Sequence, residues 1–204
     1  MSYRPGNHSF DGDFRHVRVT VKGHPEWTVL TKKGYYALKF GGEKDLEHQV
    51  VSDLNAATFE TMPFSAIGVT LMQVERFKGT DSARFTFHLD SNDLQWHVDS
   101  LAKVHEADIA MSGTALGSDL AKGPLASEAA TWKLTAPLNN EKLPEYSSTS
   151  VIVRVPSKTK RLRFVVRDLA NGRMGTVDLK SAAVANAPEI DIPVSTPQAH
   201  KPTS

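Results

Sequence analysis

The chain has 204 residues, of which 40% are hydrophobic and 23% charged, and its formal net charge is +1. This is the composition of a globular protein with one main core, and so small a net charge argues against nucleic-acid binding. The absence of cysteine excludes disulfides and thiolate metal sites, and no apolar run approaches the roughly 18 residues of a membrane-spanning helix.

The first predicted element is a β-hairpin. Apolar and polar residues alternate in HVRVTV, residues 16–21, which is the period of a half-buried strand. The KGHPE stretch, residues 22–26, supplies a turn, and Trp27 begins a second alternation that the KKGYY stretch ends. Because two strands alone are only marginally stable in water, residues 1–40 are interpreted as the remnant of a larger domain.

A helix follows the hairpin. Leu46, Val50 and Leu54 recur every four residues among polar ones, which predicts a helix over 43–57. The segment 41–59 is therefore interpreted as a helical linker between the hairpin and a second unit.

The second unit is predicted to be an immunoglobulin-like antiparallel β-sandwich over 60–182, so the fold class is mainly β. Short alternating stretches such as ARFTFHLD, residues 83–90, are separated by turn residues, and no helical segment is long enough for parallel crossovers. Residues 58–182 are expected to fold without the hairpin. The proline-rich stretch 183–204 is predicted to be a disordered tail.

The clearest hairpin of the sandwich is RFVVRDLANGRMGTVDL, residues 163–179. Asn171 and Gly172 are predicted to adopt the positive φ values of a tight turn. Since successive side chains of a strand point to opposite faces, Phe164 is expected in the core and Arg163 in solvent.

The residues 3–37 resemble the segment that closes the von Willebrand factor A-related domain of acidobacterial-type bacterial proteins. The shared features are Tyr3 and Pro5, the Asp11-Gly12 turn, a basic strand over 15–22, and Lys-Gly-Tyr-Tyr at 33–36. In that family a short helix and a β-sandwich follow, and the sandwich ends in a strand similar to residues 161–179.

This resemblance implies that the hairpin ends an A-type domain whose body lies upstream, and that the intact protein is exported, although this chain shows no signal peptide. It implies a non-catalytic module that supports contacts with another protein. The A-type domains of that family bind a divalent cation through an Asp-x-Ser-x-Ser motif, which this sequence lacks. No metal site is therefore predicted, and Asp90–Asp93 (DSND) is interpreted as a turn rather than a calcium site. No catalytic or cofactor-binding residue is predicted either, because the sequence contains no constellation of residues that could perform a reaction.

Two patterns indicate possible binding surfaces. Arg161, Arg163 and Arg167 alternate with apolar residues and are interpreted as a basic stripe on one solvated face of a strand, which suits a polyanion. Trp96, with the other two tryptophans, Trp27 and Trp132, is either core or part of a sugar-stacking platform. A carbohydrate- or polyanion-binding sandwich is thus the alternative to the protein-interaction module.

Overall fold

The computed structural model describes residues 14–16, 20–24, 34–36, 43–138 and 142–191. It contains two compact units, formed by residues 1–49 and 50–204. Among the described residues, no helix has the length and apolar character needed to cross a membrane.

The first unit contains a short two-stranded sheet. Strands β1 (Phe14–His16) and β2 (Gly34–Tyr36) pair antiparallel, and Gly23 forms a turn with a φ of +86°. Strand β2 thus lies inside the KKGYY stretch that was expected to end a strand. Val21 is exposed, whereas the other apolar residues of the predicted alternation, Val17, Val19, Trp27 and Val29, lie outside the described residues.

Helix α1 spans Glu43–Phe59, which confirms the helix predicted over 43–57. Its residues from Val50 onward belong to the second unit. There the helix is more than a linker, because Leu54 and Ala57 are buried in a cluster with Ala110 and Val165.

In its described part the second unit contains nine strands and a short second helix. In chain order these are β3 (Val69–Phe77), β4 (Ser82–Asp90), β5 (His97–Asp99), β6 (Val104–Leu116), β7 (Ala126–Pro137), β8 (Tyr146–Arg154), β9 (Arg161–Asp168), β10 (Met174–Lys180), α2 (Ser181–Ala185) and β11 (Glu189–Ile190).

The strands form two sheets. In the first sheet, the strand order is β10, β9, β6, β7. Strand β5 pairs with the start of β6, beyond the end of β9. In the second, the order is β11, β3, β4, β8, and every pairing is antiparallel except that of β11 with β3. The predicted mainly-β fold is confirmed, and the two sheets are consistent with a sandwich.

The main core lies between the two sheets. Phe164 of β9 is fully buried, and its ring centroid lies 4.7 Å from that of Phe85 and 4.9 Å from that of Phe87 on β4. Aromatic pairs at this separation add stability beyond the area that they bury. The prediction that Phe164 belongs to the core is confirmed.

The turn between β9 and β10 differs in one detail from the expectation. Gly172 has a φ of +71°, but Asn171 does not adopt a positive φ. The backbone N–H of Gly172 donates to the carbonyl of Asp168 (2.9 Å), and the Asp168 carboxylate accepts from the N–H groups of Ala170 and Asn171. The side chain of Asp168 therefore holds the turn, so one left-handed residue is enough.

The prediction of a disordered tail is wrong for residues 183–191. Val184 of α2 is buried. Strand β11 pairs with β3, and next to this pairing the N–H of Arg76 donates to the carbonyl of Pro188 (2.8 Å). Pairing with the edge of β3 thus satisfies backbone hydrogen-bonding groups of this segment, which its composition alone predicts to be bonded to water. Residues 192–204 lie outside the described residues.

Candidate functional site

The outer face of β9 was expected to carry an exposed basic stripe, and this expectation is wrong. Arg163 and Arg167 are each only 1% exposed, and only Arg161, at the start of the strand, is partly open to solvent. The reason is that the part of α1 in this unit covers the face on which these side chains lie. The strand is consequently buried on both faces.

Arg163 binds both the neighbouring strand and the end of the helix. Its Nε donates to Oδ1 of Asp178 (2.8 Å) and its second terminal nitrogen to Oδ2 (2.6 Å), in a two-pronged ion pair. The remaining nitrogen donates to the carbonyls of Ala57 (3.2 Å) and Glu60. Because α1 has no basic residue in its own last turn, Arg163 supplies the positive charge that a helix C-terminus favours.

Arg167 binds the same helix further from its end. Its Nε donates to Oδ2 of Asp53 (2.9 Å), and Val165 packs between the two arginines against Leu54 and Ala57. The helix therefore runs opposite to β9 and is held by an ion pair, an apolar contact and a bond to its C-terminus. We call Arg163, Val165 and Arg167 the helix clamp.

The clamp leaves little free positive charge on this face. The hydrogen bonds from Arg163 are the main reason that the pKa of Asp178 lies below its ordinary value, and the charge of Arg161 lowers it further. The Nε of Arg161 itself lies 3.9 Å from the same carboxylate. The three arginines are thus occupied by intramolecular partners rather than arrayed toward solvent.

Trp96 also has an intramolecular role. Its indole N–H donates to the carbonyl of Ser91 (2.9 Å), and its ring packs, half-buried, against the main core. Trp132 is likewise half-buried against that core, and Trp27 lies outside the described residues. The structure therefore favours the core interpretation for Trp96 and Trp132.

Asp90–Asp93 form a turn, as predicted. A short 3₁₀ helix spans Ser91–Asp93, and Asp90 accepts from the N–H of Asn92 (2.9 Å). Asp93 accepts from the N–H of Gly68 (2.8 Å) and from the guanidinium of Arg173 (3.1 Å). In the part of the chain that the structure describes, no group of three or more acidic or histidine side chains is placed to hold a metal ion.

The sequence reasoning missed an open sheet edge along β8. Strand β8 pairs with β4 on one side, and no described strand pairs with its other side. Its side chains alternate strictly between buried and exposed, and its pairing with β4 contains no register shift. This strand is therefore regular, and one of its edges has no ladder partner, although β7 lies close beside it.

The hydrogen-bond register shows which backbone groups of β8 point outward. At the two ends of the pairing, the N–H of Ser91 donates to the carbonyl of Glu145 (3.0 Å), and the N–H of Val155 donates to that of Asp81 (2.6 Å). Since hydrogen-bonded positions alternate in an antiparallel pair, the odd residues of β8 face β4. The N–H and C=O groups of Ser148, Ser150 and Ile152 therefore face the open edge.

A groove lies beside this edge. It has a volume of about 270 Å³ and is lined by Glu128, Ala129, Ala130 and Trp132 of β7 and by Ser150, Val151 and Ile152 of β8. The part of β7 beside it, residues 127–131, is exposed throughout. The two sheets thus leave a gap between β7 and β8 with apolar side chains in its walls.

A second concavity lies at one end of the sandwich. It has a volume of about 370 Å³ and is formed by the β3–β4 turn, the loop between β8 and β9, and α2. Phe77 and Val184 contribute apolar surface, and Thr80 and Thr159 contribute hydroxyl groups.

Comparison of the chain with protein families, with curated proteins and with solved structures finds no match.

Proposed function

We propose that this chain is a non-catalytic protein-interaction module that binds an extended segment of a partner protein as an additional strand along β8. This is the kind of role that the resemblance to von Willebrand factor A-related proteins implies. The observation that carries the proposal is the row of outward backbone groups at Ser148, Ser150 and Ile152, beside a groove with apolar walls.

Natural sheets usually protect an exposed edge with charged side chains, prolines, bulges or a very short strand. Strand β8 spans nine residues, has no proline or glycine, and carries no charge before Arg154. Its second half is rich in β-branched residues, and Ile152 is half-exposed on its outer face. An edge of this kind is a template on which another extended chain forms main-chain hydrogen bonds.

The groove provides selectivity for such a segment. A strand added beside β8 points alternate side chains toward the inner side of the sheet, because side chains in a strand alternate between faces. There they meet Trp132 and Val151, so the expected partner segment carries apolar residues at every second position. The alternative of a polyanion-binding stripe has lost its support, since Arg163 and Arg167 are buried and paired.

The proposal is tested with a displayed library of short random peptides selected on the wild-type protein. Ser150→Pro removes one outward N–H without removing a bond to β4, whereas the control Ser150→Ala keeps that N–H. Peptides with alternating apolar residues are expected to bind the wild type and Ser150→Ala but not Ser150→Pro. Bound peptide is expected to slow amide exchange at Ser148, Ser150 and Ile152 in the wild type.

Equal binding to Ser150→Pro, or slowed exchange elsewhere in the chain with no change at β8, contradicts the proposal. The exchange measurement on the wild type decides the matter even if the proline variant is poorly folded. A dimer of the wild type that Ser150→Pro abolishes assigns the edge to a second copy of this chain, and that also contradicts a partner-protein segment.

A further inference from the structure

Three exposed lysines lie together at one end of the second unit. Lys180 ends β10 and lies directly opposite Arg161, which begins β9. The carbonyl of Lys160 accepts from the N–H of Ser181 (3.2 Å), and Lys158 lies in the loop that leads to it from β8. All three lysines are exposed, and we call Lys158, Lys160 and Lys180 the cationic end.

The positive charge of the cationic end is not compensated within the protein. In the part of the chain that the structure describes, no carboxylate forms an ion pair with any of the three lysines. Asp178, two residues before Lys180, is bound on both oxygens by Arg163 and lies 3.9 Å from Arg161. Like charges directly opposite each other destabilise an antiparallel pair, so Lys180 and Arg161 favour an anion beside them.

The small net charge of the chain conceals this cluster, because other charges at the same end of the unit cancel. Acidic and basic side chains there form the pairs Arg76–Glu189, Lys78–Asp191, Arg154–Asp81 and Lys122–Asp119. Glu60, just after α1, adds one carboxylate, which is fewer than the three lysines. A local excess of positive charge therefore remains.

Exposed apolar side chains lie near one side of the cationic end. Arg163, two residues after Arg161, donates to two carbonyls at the end of α1. Phe59 is the last residue of this helix and Met62 follows it, and both side chains are about half-exposed. A soluble protein gains no stability from apolar side chains in water, so their place beside unpaired cations indicates a contact surface.

The hairpin between β6 and β7 contributes apolar side chains on the other side. It follows Leu116, which pairs with Arg161 at the start of β9. Leu120 and Leu125 of this hairpin are exposed, and the N–H of Leu125 donates to the carbonyl of Ala115 (2.8 Å). This bond holds the hairpin at the same end of the unit as the lysines.

We propose that the cationic end and its apolar neighbours dock on the surface of a membrane that contains anionic lipids. The lysines attract the negatively charged headgroups, and the apolar side chains, Phe59, Met62, Leu120 and Leu125, insert among them. Each lysine near such a surface strengthens binding about fivefold. A soluble polyanion would use the lysines alone, so the apolar side chains favour the membrane. No residue of the β8 edge takes part, and the proposal does not depend on the proposed function.

The test measures sedimentation of the full chain with vesicles of phosphatidylcholine, with and without phosphatidylserine. Saturable binding is expected only with phosphatidylserine, and it should weaken as salt is added. Lys180→Gln should weaken this binding about fivefold, and replacing all three lysines of the cationic end by glutamine about a hundredfold. The control Lys103→Gln, which changes an exposed lysine at the opposite end of β6, should bind like the wild type.

Met62→Ser separates a membrane from a soluble polyanion. Since Met62 is exposed, the variant should fold normally, and it should bind the vesicles about fivefold more weakly while its binding to heparin is unchanged. The proposal is overturned if the wild type does not bind vesicles with phosphatidylserine, or if Lys103→Gln and Lys180→Gln lose binding equally. It is also overturned if Met62→Ser binds the vesicles like the wild type, a result that assigns the cationic end to a soluble polyanion.

Discussion

The helix clamp makes a specific prediction for Arg163→Ala. The substitution removes the bonds to both oxygens of Asp178 and to the carbonyls of Ala57 and Glu60. It also leaves empty the space of one of the largest fully buried side chains in the described chain. The sequence alone placed this residue in solvent, where truncation would cost no more than about 0.5 kcal/mol.

The structure predicts a much larger loss. Removing one partner of a buried ion pair typically costs about 3 to 5 kcal/mol, because the other partner is left without compensation. Asp178 retains 38% exposure of its side chain, so water recovers part of its hydrogen bonding, which favours the lower end of this range. Ala57 is fully buried, so water does not replace the hydrogen bond that its carbonyl loses. We therefore expect a loss of about 3 kcal/mol in the free energy of unfolding.

The assay is equilibrium unfolding in urea, with Arg161→Ala as the matched control on the same face of the same strand. Arg161 is 35% exposed and lies 3.9 Å from Asp178, so its truncation should cost less than about 1 kcal/mol. Hydrogen exchange adds a local readout, since amides in the last turns of α1 should lose protection in Arg163→Ala. Equal losses for the two variants, with α1 still protected, would refute the clamp.

Three further predictions concern the sandwich. Phe164→Ala should cost about 3 to 5 kcal/mol in urea unfolding, since it removes a fully buried aromatic ring, and a loss below 1 kcal/mol would contradict its place in the core. Gly175→Ala should cost about 1 to 3 kcal/mol by the same assay, because a Cβ there would overlap the backbone carbonyl of Ile67, and an unchanged midpoint would contradict this close approach. Acid titration should show a loss of stability as the pH falls below 3.8 through the lowered pKa of Asp178, and Arg163→Ala should lack this component.

Alternation correctly identified the strand at residues 83–90 and the inner side of β9. Phe164 was placed in the core because every second residue of a strand shares a face, and this rule depends only on backbone geometry. The helix was predicted correctly because its apolar residues recur with the spacing of one helix face. Both patterns involve only residues that are close together in the chain, so they can be recognised in a single sequence without knowledge of the fold.

The error at Arg163 arose because alternation predicts which residues of a strand lie on the same face, but not whether another element covers that face. Val165 was the available signal, since it interrupts the row of arginines with an apolar residue on the supposedly solvated side. The short strands β5 and β11 were missed for a related reason, because three and two residues are too few to show a period. The open edge of β8 depends on pairing between distant strands, which no local pattern records.

The last prediction concerns the start of the second unit. The contacts of the helix clamp place this boundary earlier in the chain than residue 58. A fragment of residues 58–182 lacks Asp53, Leu54 and Ala57, so Arg167 loses its carboxylate and Val165 its apolar cover. It also lacks the buried Val184.

A fragment of residues 50–191 keeps all of these contacts, and we expect it to unfold cooperatively in urea. The shorter fragment should be less stable by several kcal/mol, since burial of a leucine alone contributes about 1.5 to 3 kcal/mol and the broken ion pair adds to this. Adding Asp53→Ala to the longer fragment serves as a control, because it removes the ion pair while the apolar cover remains, and its loss should be intermediate. If 58–182 proved as stable as 50–191, the covering of β9 by α1 would contribute nothing to the fold, and the sandwich would begin where the sequence alone placed it.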